Sequence, residues 1–124
     1  MSRTPDELVT EFCRQWASPD AERISGYFTE NAVYHNIPME AVRGRQAIKE
    51  FILGFTAAFD GIDFIVHRQI SEGNLVMNER TDVLRRRDGS SIDLPVMGVF
   101  EIAGGQIAAW RDYFDMAAIT KAFS

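Results

Sequence analysis

The hydrophobic pattern changes period halfway along the chain, and that change restricts the fold more than any other feature. Up to Phe59 the apolar residues recur at three- and four-residue spacing. From Ile62 onward they fall in short, partly alternating runs cut by Glu72-Gly73-Asn74, Asp88-Gly89 and Gly104-Gly105. The first spacing marks helices and the second marks strands. Leu8, Phe12, Cys13 and Trp16 predict a first helix. Thr4 caps it, Pro5 suits its first position, and Glu7 stands three residues beyond the cap. Ser18-Pro19-Asp20 ends that helix, and Asp20 caps a short second one carrying Ile24, Tyr27 and Phe28. After the turn Thr29-Glu30-Asn31, residues 32–37 predict a short strand that stops at Pro38.

A third helix covers 46–59, with Phe51, Phe55 and Phe59 at i, i+4 and i+8 on one face, and Asp60-Gly61 closes it. Four strands follow at 62–70, 75–84, 92–101 and 106–114, and a short helix covers 116–122. Asp88-Gly89 is a strong hairpin signal, and Pro95 marks an edge or a bulge. Helices gathered against such strands predict an α+β fold. The expected form is a curved mixed or antiparallel sheet wrapped over helices, cone-shaped, with an internal apolar pocket. At 124 residues the chain is one domain, 1–124, long enough to bury roughly two-thirds of its unfolded surface.

Composition narrows the function. Thirteen Lys and Arg against eighteen Asp and Glu leave a net charge of −5, which argues against a nucleic-acid partner. No apolar run approaches the roughly 20 residues that cross a bilayer, so no membrane partner is expected. The single cysteine, Cys13, excludes an internal disulfide and a cysteine metal site, and His35 and His67 have no spaced partners, so no metal is expected. The polar start of the chain and the lone thiol fit a soluble cytoplasmic protein.

Strand parity then selects the chemistry. On 75–84, Val76, Asn78, Arg80, Asp82 and Leu84 share one face and Met77, Glu79, Thr81 and Val83 the other, so both faces are mixed. On 92–101, Ile92, Leu94, Val96, Gly98 and Phe100 make a nearly pure apolar face. On the last strand Asp112 lies between Trp110 and Phe114, where a buried charge needs a partner. Arg80 is the candidate, able to bridge Asp82 and Asp112 if both strands face one cavity. A pair that only fixes strand order meets the same pattern. Tyr34 and Asn36 share a face of the short strand, and both can hold a water. His35 points the other way by parity.

Tyr34-His35-Asn36, then 79–84 with Arg80 and Asp82, then Gly98-Val99-Phe100, then Trp110-Arg111-Asp112-Tyr113-Phe114-Asp115 resemble the limonene-1,2-epoxide hydrolases. The resemblance runs from Thr4 to Asp115. It implies the cone fold shared with ketosteroid isomerase and nuclear transport factor 2, a homodimer, and no cofactor. It also implies one-step addition of water to a small apolar, cyclic or terpene-like epoxide, giving a vicinal diol. In that carry-over Asp82 is the general acid and Asp112 the general base. Tyr34 and Asn36 hold the water, and Arg80 lies between the carboxyls. Phe55, Phe59, Leu84, Leu94, Val96 and Phe114 then wall the substrate pocket. Two other readings use the same residues. A ketosteroid-isomerase-like enzyme would recruit Tyr34, Asp82 and Asp112 as base and oxyanion hole. A non-catalytic small-molecule-binding module would use the polar set structurally.

Overall fold

The computed structural model describes residues 3–122. Helix α1 (Pro5–Gln15) begins with the expected capping box: Thr4 Oγ1 accepts from the Glu7 N–H at 3.1 Å, and Glu7 Oε1 accepts from the Thr4 N–H at 3.0 Å. Helix α2 (Ala21–Ser25) is capped by Asp20, which accepts from the Arg23 N–H. Strand β1 (Phe28–Asn36), the two-residue β2 (Val42–Arg43) and helix α3 (Arg45–Ala58) complete the first half. Strands β3 (Phe59–Glu72), β4 (Leu75–Arg86), β5 (Ser91–Ala103) and β6 (Gln106–Tyr113) form a long meander, followed by helix α4 (Met116–Ala122).

One six-stranded mixed sheet results, in the order β2-β1-β6-β5-β4-β3. All pairings are antiparallel except β1 with β6, which run parallel. None of the described helices is long and apolar enough to cross a membrane.

Three expectations change. Phe28 belongs to β1, not to α2, and β1 absorbs Thr29, Glu30 and Asn31 through a register shift between Phe28 and Val33. The short edge strand β2 has no counterpart in the sequence pattern. Asp60-Gly61 does not form a turn, because α3 runs directly into β3. A Cβ on Gly61 would stand 2.5 Å from the Ala17 carbonyl oxygen, so a bare backbone there lets the end of α1 dock on β3. The edge expectation for Pro95 holds locally: β5 is an inner strand, but β6 ends at Tyr113 opposite Met97, so β5 has lost its second neighbour where Pro95 stands.

Phe12 centres the core. It is fully buried, and its ring meets those of Tyr27, Phe28 and Trp110 edge-on at centroid distances of 5.4, 5.5 and 5.1 Å. Such contacts add to the apolar area buried. Removing this ring leaves a void the rigid sheet cannot close. Phe12→Ala is therefore expected to lower unfolding stability by about 3–5 kcal/mol in urea titration.

Candidate active site

The inner face of β4 carries Val76, Asn78, Arg80, Asp82 and Leu84, all buried. Three adjacent polar groups on a core face are costly unless every donor and acceptor is paired. Here they are paired. Arg80 donates from Nε to Asp82 Oδ1 at 2.9 Å and from Nη2 to Asp82 Oδ2 at 3.0 Å. It donates from Nη1 to Asp112 Oδ1 at 3.2 Å and from Nη2 to Asp112 Oδ2 at 2.8 Å. A further Nη1 bond goes to Asn78 Oδ1 at 2.9 Å. A guanidinium has five N–H groups, and these five bonds use them all. The Phe64 ring covers the guanidinium, with Cζ 4.5 Å from the ring centroid.

Sheet register explains how residues from four strands meet. Asn36, Asp112, Gly98 and Asn78 lie in one row across β1, β6, β5 and β4. Tyr34, Trp110 and Phe100 form the neighbouring row. Their rings stack: Tyr34 on Trp110 at 4.3 Å and Phe100 on Trp110 at 5.4 Å. Trp110 also donates from its indole N–H to Asp112 Oδ1 at 2.7 Å. Asp112 Oδ1 thus has two protein donors and Oδ2 one, leaving a lone pair on Oδ2 for another donor.

Gly98 is the gap in the polar row. A Cβ there would overlap Arg80 Nη1 and stand 2.9 Å from both Asn78 Oδ1 and Asp112 Oδ1. Only a residue without a side chain lets the guanidinium lie across β5 to reach β6. The sequence pattern counts Gly98 merely as a member of an apolar face.

Burial pushes the Asp82 carboxyl up, against the hydrogen bonds and charge of Arg80, and the nearby Asp112 charge adds to the rise. Arg80 stays charged, because Asp112 and Asp82 outweigh the burial that opposes its charge. Burial raises the Tyr34 phenol, which stays a neutral donor and bonds to Asn36 Oδ1 at 3.3 Å. The Cys13 thiol is pushed up to about 12 by burial, so it is not a thiolate at neutral pH.

The site borders a cavity of about 240 Å³. Tyr34, Asn36, Asp82 and Asp112 line it, as do Phe55, Phe59, Leu84, Leu94, Val96 and Phe114. Arg80 does not line it, and reaches it only through the two carboxyls. Trp16, Phe51, Ile62, Phe64, Trp110 and Ile119 also contribute to the wall. Trp16 and Phe51 belong to amphipathic series in the sequence, but nothing in a helical period says that the buried face borders a void. His35 turns to the other side, within 2.9 Å of the Met39 carbonyl, as parity predicts.

A cone-shaped α+β domain with an acid pair in an apolar cavity defines a broad structural class. The chain superposes on a protein of ketosteroid-isomerase-like fold from Catenulispora acidiphila with a TM-score of 0.82, at 16% identity, covering 94% of this chain and 91% of that one. It superposes on an epoxide hydrolase of Mycobacterium tuberculosis described as limonene-epoxide-hydrolase-like with a TM-score of 0.83, at 27% identity, covering 94% and 86%. The epoxide hydrolase EphG of M. tuberculosis is 29% identical over 113 residues, which is 91% of this chain and 74% of EphG. The model of the limonene-1,2-epoxide hydrolase catalytic domain matches residues 7–124. The chain belongs to that family, and with it to the epoxide hydrolases.

The Gly98 slot gives a direct test of the geometry. Gly98→Ala is expected to cost about 1–3 kcal/mol in urea unfolding, the range for an overpacked core site. A variant as stable as the parent would show that Arg80 has room to move aside.

Proposed function

We propose that this protein adds water to a small apolar epoxide in one step, without a cofactor, and releases a vicinal diol. The observation that carries this reading is one buried arginine bonded to two carboxyls at the wall of an apolar cavity. One cation neutralises one carboxylate, so the pair is suited to hold one proton and to act as acid and base together. Asp82 is the acid, since burial raises its carboxyl. Asp112 is the base: it lines the cavity, and its Oδ2 takes only one protein donor. Tyr34 and Asn36 hold the nucleophilic water beside it.

The reaction balances without a covalent intermediate. The water oxygen forms a bond to one ring carbon as that carbon's bond to the epoxide oxygen breaks. Asp112 takes the proton from water, and Asp82 gives its proton to the departing oxygen. The proton count of the pair is unchanged, and only its location must be reset. Aromatic and aliphatic walls exclude bulk water and keep Asp82 neutral. A cavity of about 240 Å³ lies just below the roughly 300–1,000 Å³ common for small-molecule sites, which favours a compact ring such as a cyclic or terpene-like epoxide. An isomerase would have no use for a water seat at Asn36. Cys13, unpaired and buried, supports a cytoplasmic setting.

Turnover of cyclohexene oxide in oxygen-18 water is expected to give diol with one labelled hydroxyl. Asp82→Asn and Asp112→Asn are each expected to lower turnover by about 10²–10⁴-fold. Retained turnover in either variant would remove the assigned roles. The acid must be protonated to act, so activity is expected to fall as pH rises through the raised Asp82 pKa. A pH profile of turnover that stays level through the alkaline range would contradict that assignment.

We also propose a homodimer. The outer sheet face exposes Ile65, Met97 and Tyr113, with Val83 and Val99 half-buried among them. Light scattering at micromolar concentration is expected to give about twice the 14.0 kDa chain mass, and a monomer would overturn the proposal.

A further inference from the structure

The fifth N–H of Arg80 goes to Asn78 Oδ1, not to a carboxyl. A primary amide can present either its oxygen or its NH2, and an NH2 there would meet another donor. Something must choose the oxygen. Asn78 Nδ2 donates to Gln69 Oε1 at 3.0 Å, and Cys13 Sγ lies 3.9 Å from the same nitrogen as a weak acceptor. The question then passes to Gln69. Its Nε2 stands 3.1 Å from the Asp6 carbonyl oxygen, 2.9 Å from Asp6 Oδ1 and 3.0 Å from Thr10 Oγ1. Both Asp6 atoms are acceptors only. Turning the Gln69 amide over would set its oxygen against both of them. The polarity of the chain is therefore decided on the first turns of α1, whose start is held by the Thr4–Glu7 capping box.

Gln69 reaches this position through an irregularity. The register of β3 against β4 shifts between Val66 and Arg68. Counting by twos from the inward Phe64 would turn Gln69 outward. The extra residue turns it in, opposite Asn78, and extends the polar row of the sheet to a fifth strand.

We propose that Gln69 and Asn78 form a one-way hydrogen-bond relay, anchored on α1, that holds the aim of Arg80 at the two carboxyls; both are positioning residues for the reaction proposed above, on which the inference rests. Neither lines the cavity. With the relay intact, Arg80 has four N–H groups committed to Asp82 and Asp112. With it broken, the guanidinium is free to tilt, and Asp82 loses bonds that favour its charged form. The titratable groups around Asp82 are Arg80 on β4, Asp112 on β6, Tyr34 on β1 and Cys13 on α1. Of these, the relay touches Arg80 and Cys13.

The test is the Asp82 carboxyl titration, followed by carbon-13 NMR in the full chain without substrate, alongside turnover of cyclohexene oxide. Gln69→Leu and Asn78→Leu are each expected to raise the Asp82 midpoint above the parent's. Turnover should fall about tenfold, with KM within about twofold. Because the relay acts in series, the double variant should match Asn78→Leu alone. Thr10→Val, at the surface end, should move the midpoint in the same direction by less, and it carries the test if Asn78→Leu does not fold. Ile24→Ala, a cavity variant on α2, should lose stability without moving the midpoint. An Asp82 midpoint unchanged in Gln69→Leu, or additive shifts in the double variant, would overturn the relay. A shifted midpoint in a protein that leaves epoxides untouched would uphold the relay and sink the proposed reaction instead.

Discussion

A guanidinium with no exposure to solvent sits between two carboxyls in the middle of a β-sheet, and the rest of the molecule is arranged around the cost of putting it there. Removing such a charge from water costs several kcal/mol unless every N–H finds an acceptor. Arg80 finds five. Burial raises the Asp82 carboxyl against the bonds and charge of Arg80, and the nearby Asp112 charge adds to the rise. The two chemically alike acids also differ in their hydrogen-bond donors. Asp112 takes a third donor from Trp110, while Asp82 has Arg80 alone.

The sheet meets these demands by register. Two neighbouring rows cross it, one of stacked rings and one of polar groups. The aromatic row runs beside the polar row across β1, β6 and β5. Trp110 belongs to both, through its ring face to Tyr34 and its N–H to Asp112. A site held on central strands is set more closely than one held on loops. The parallel pairing of β1 with β6 is what brings Tyr34 and Asn36 beside Asp112. Strands so far apart in the chain meet only because α3 and the meander carry the chain back.

Local rules carried much of the fold. The Thr4–Glu7 capping box, the Asp20 cap, the Asp88-Gly89 hairpin and the four long strands follow from interactions within a few residues. Parity alone puts Tyr34 with Asn36, and Arg80 with Asp82. The failures are of another kind. Phe28 looks helical because Ile24 precedes it by four, yet it pairs with Ile107 across the sheet. Gly98 looks like a filler until Arg80 is seen lying over it. Gln69 counts as outward until the β3 irregularity is known.

What the amino-acid sequence determined by itself is therefore the element types, the inward faces of regular strands, and the titratable residues available to chemistry. Each of these depends on a fixed repeat or on neighbours along the chain. What only the tertiary structure decided is which face of β4 is buried, which glycine must be bare, and how far the polar row extends. Those depend on register between strands distant in sequence. One bulged residue shifts every side chain beyond it to the other face, and no local period records that shift.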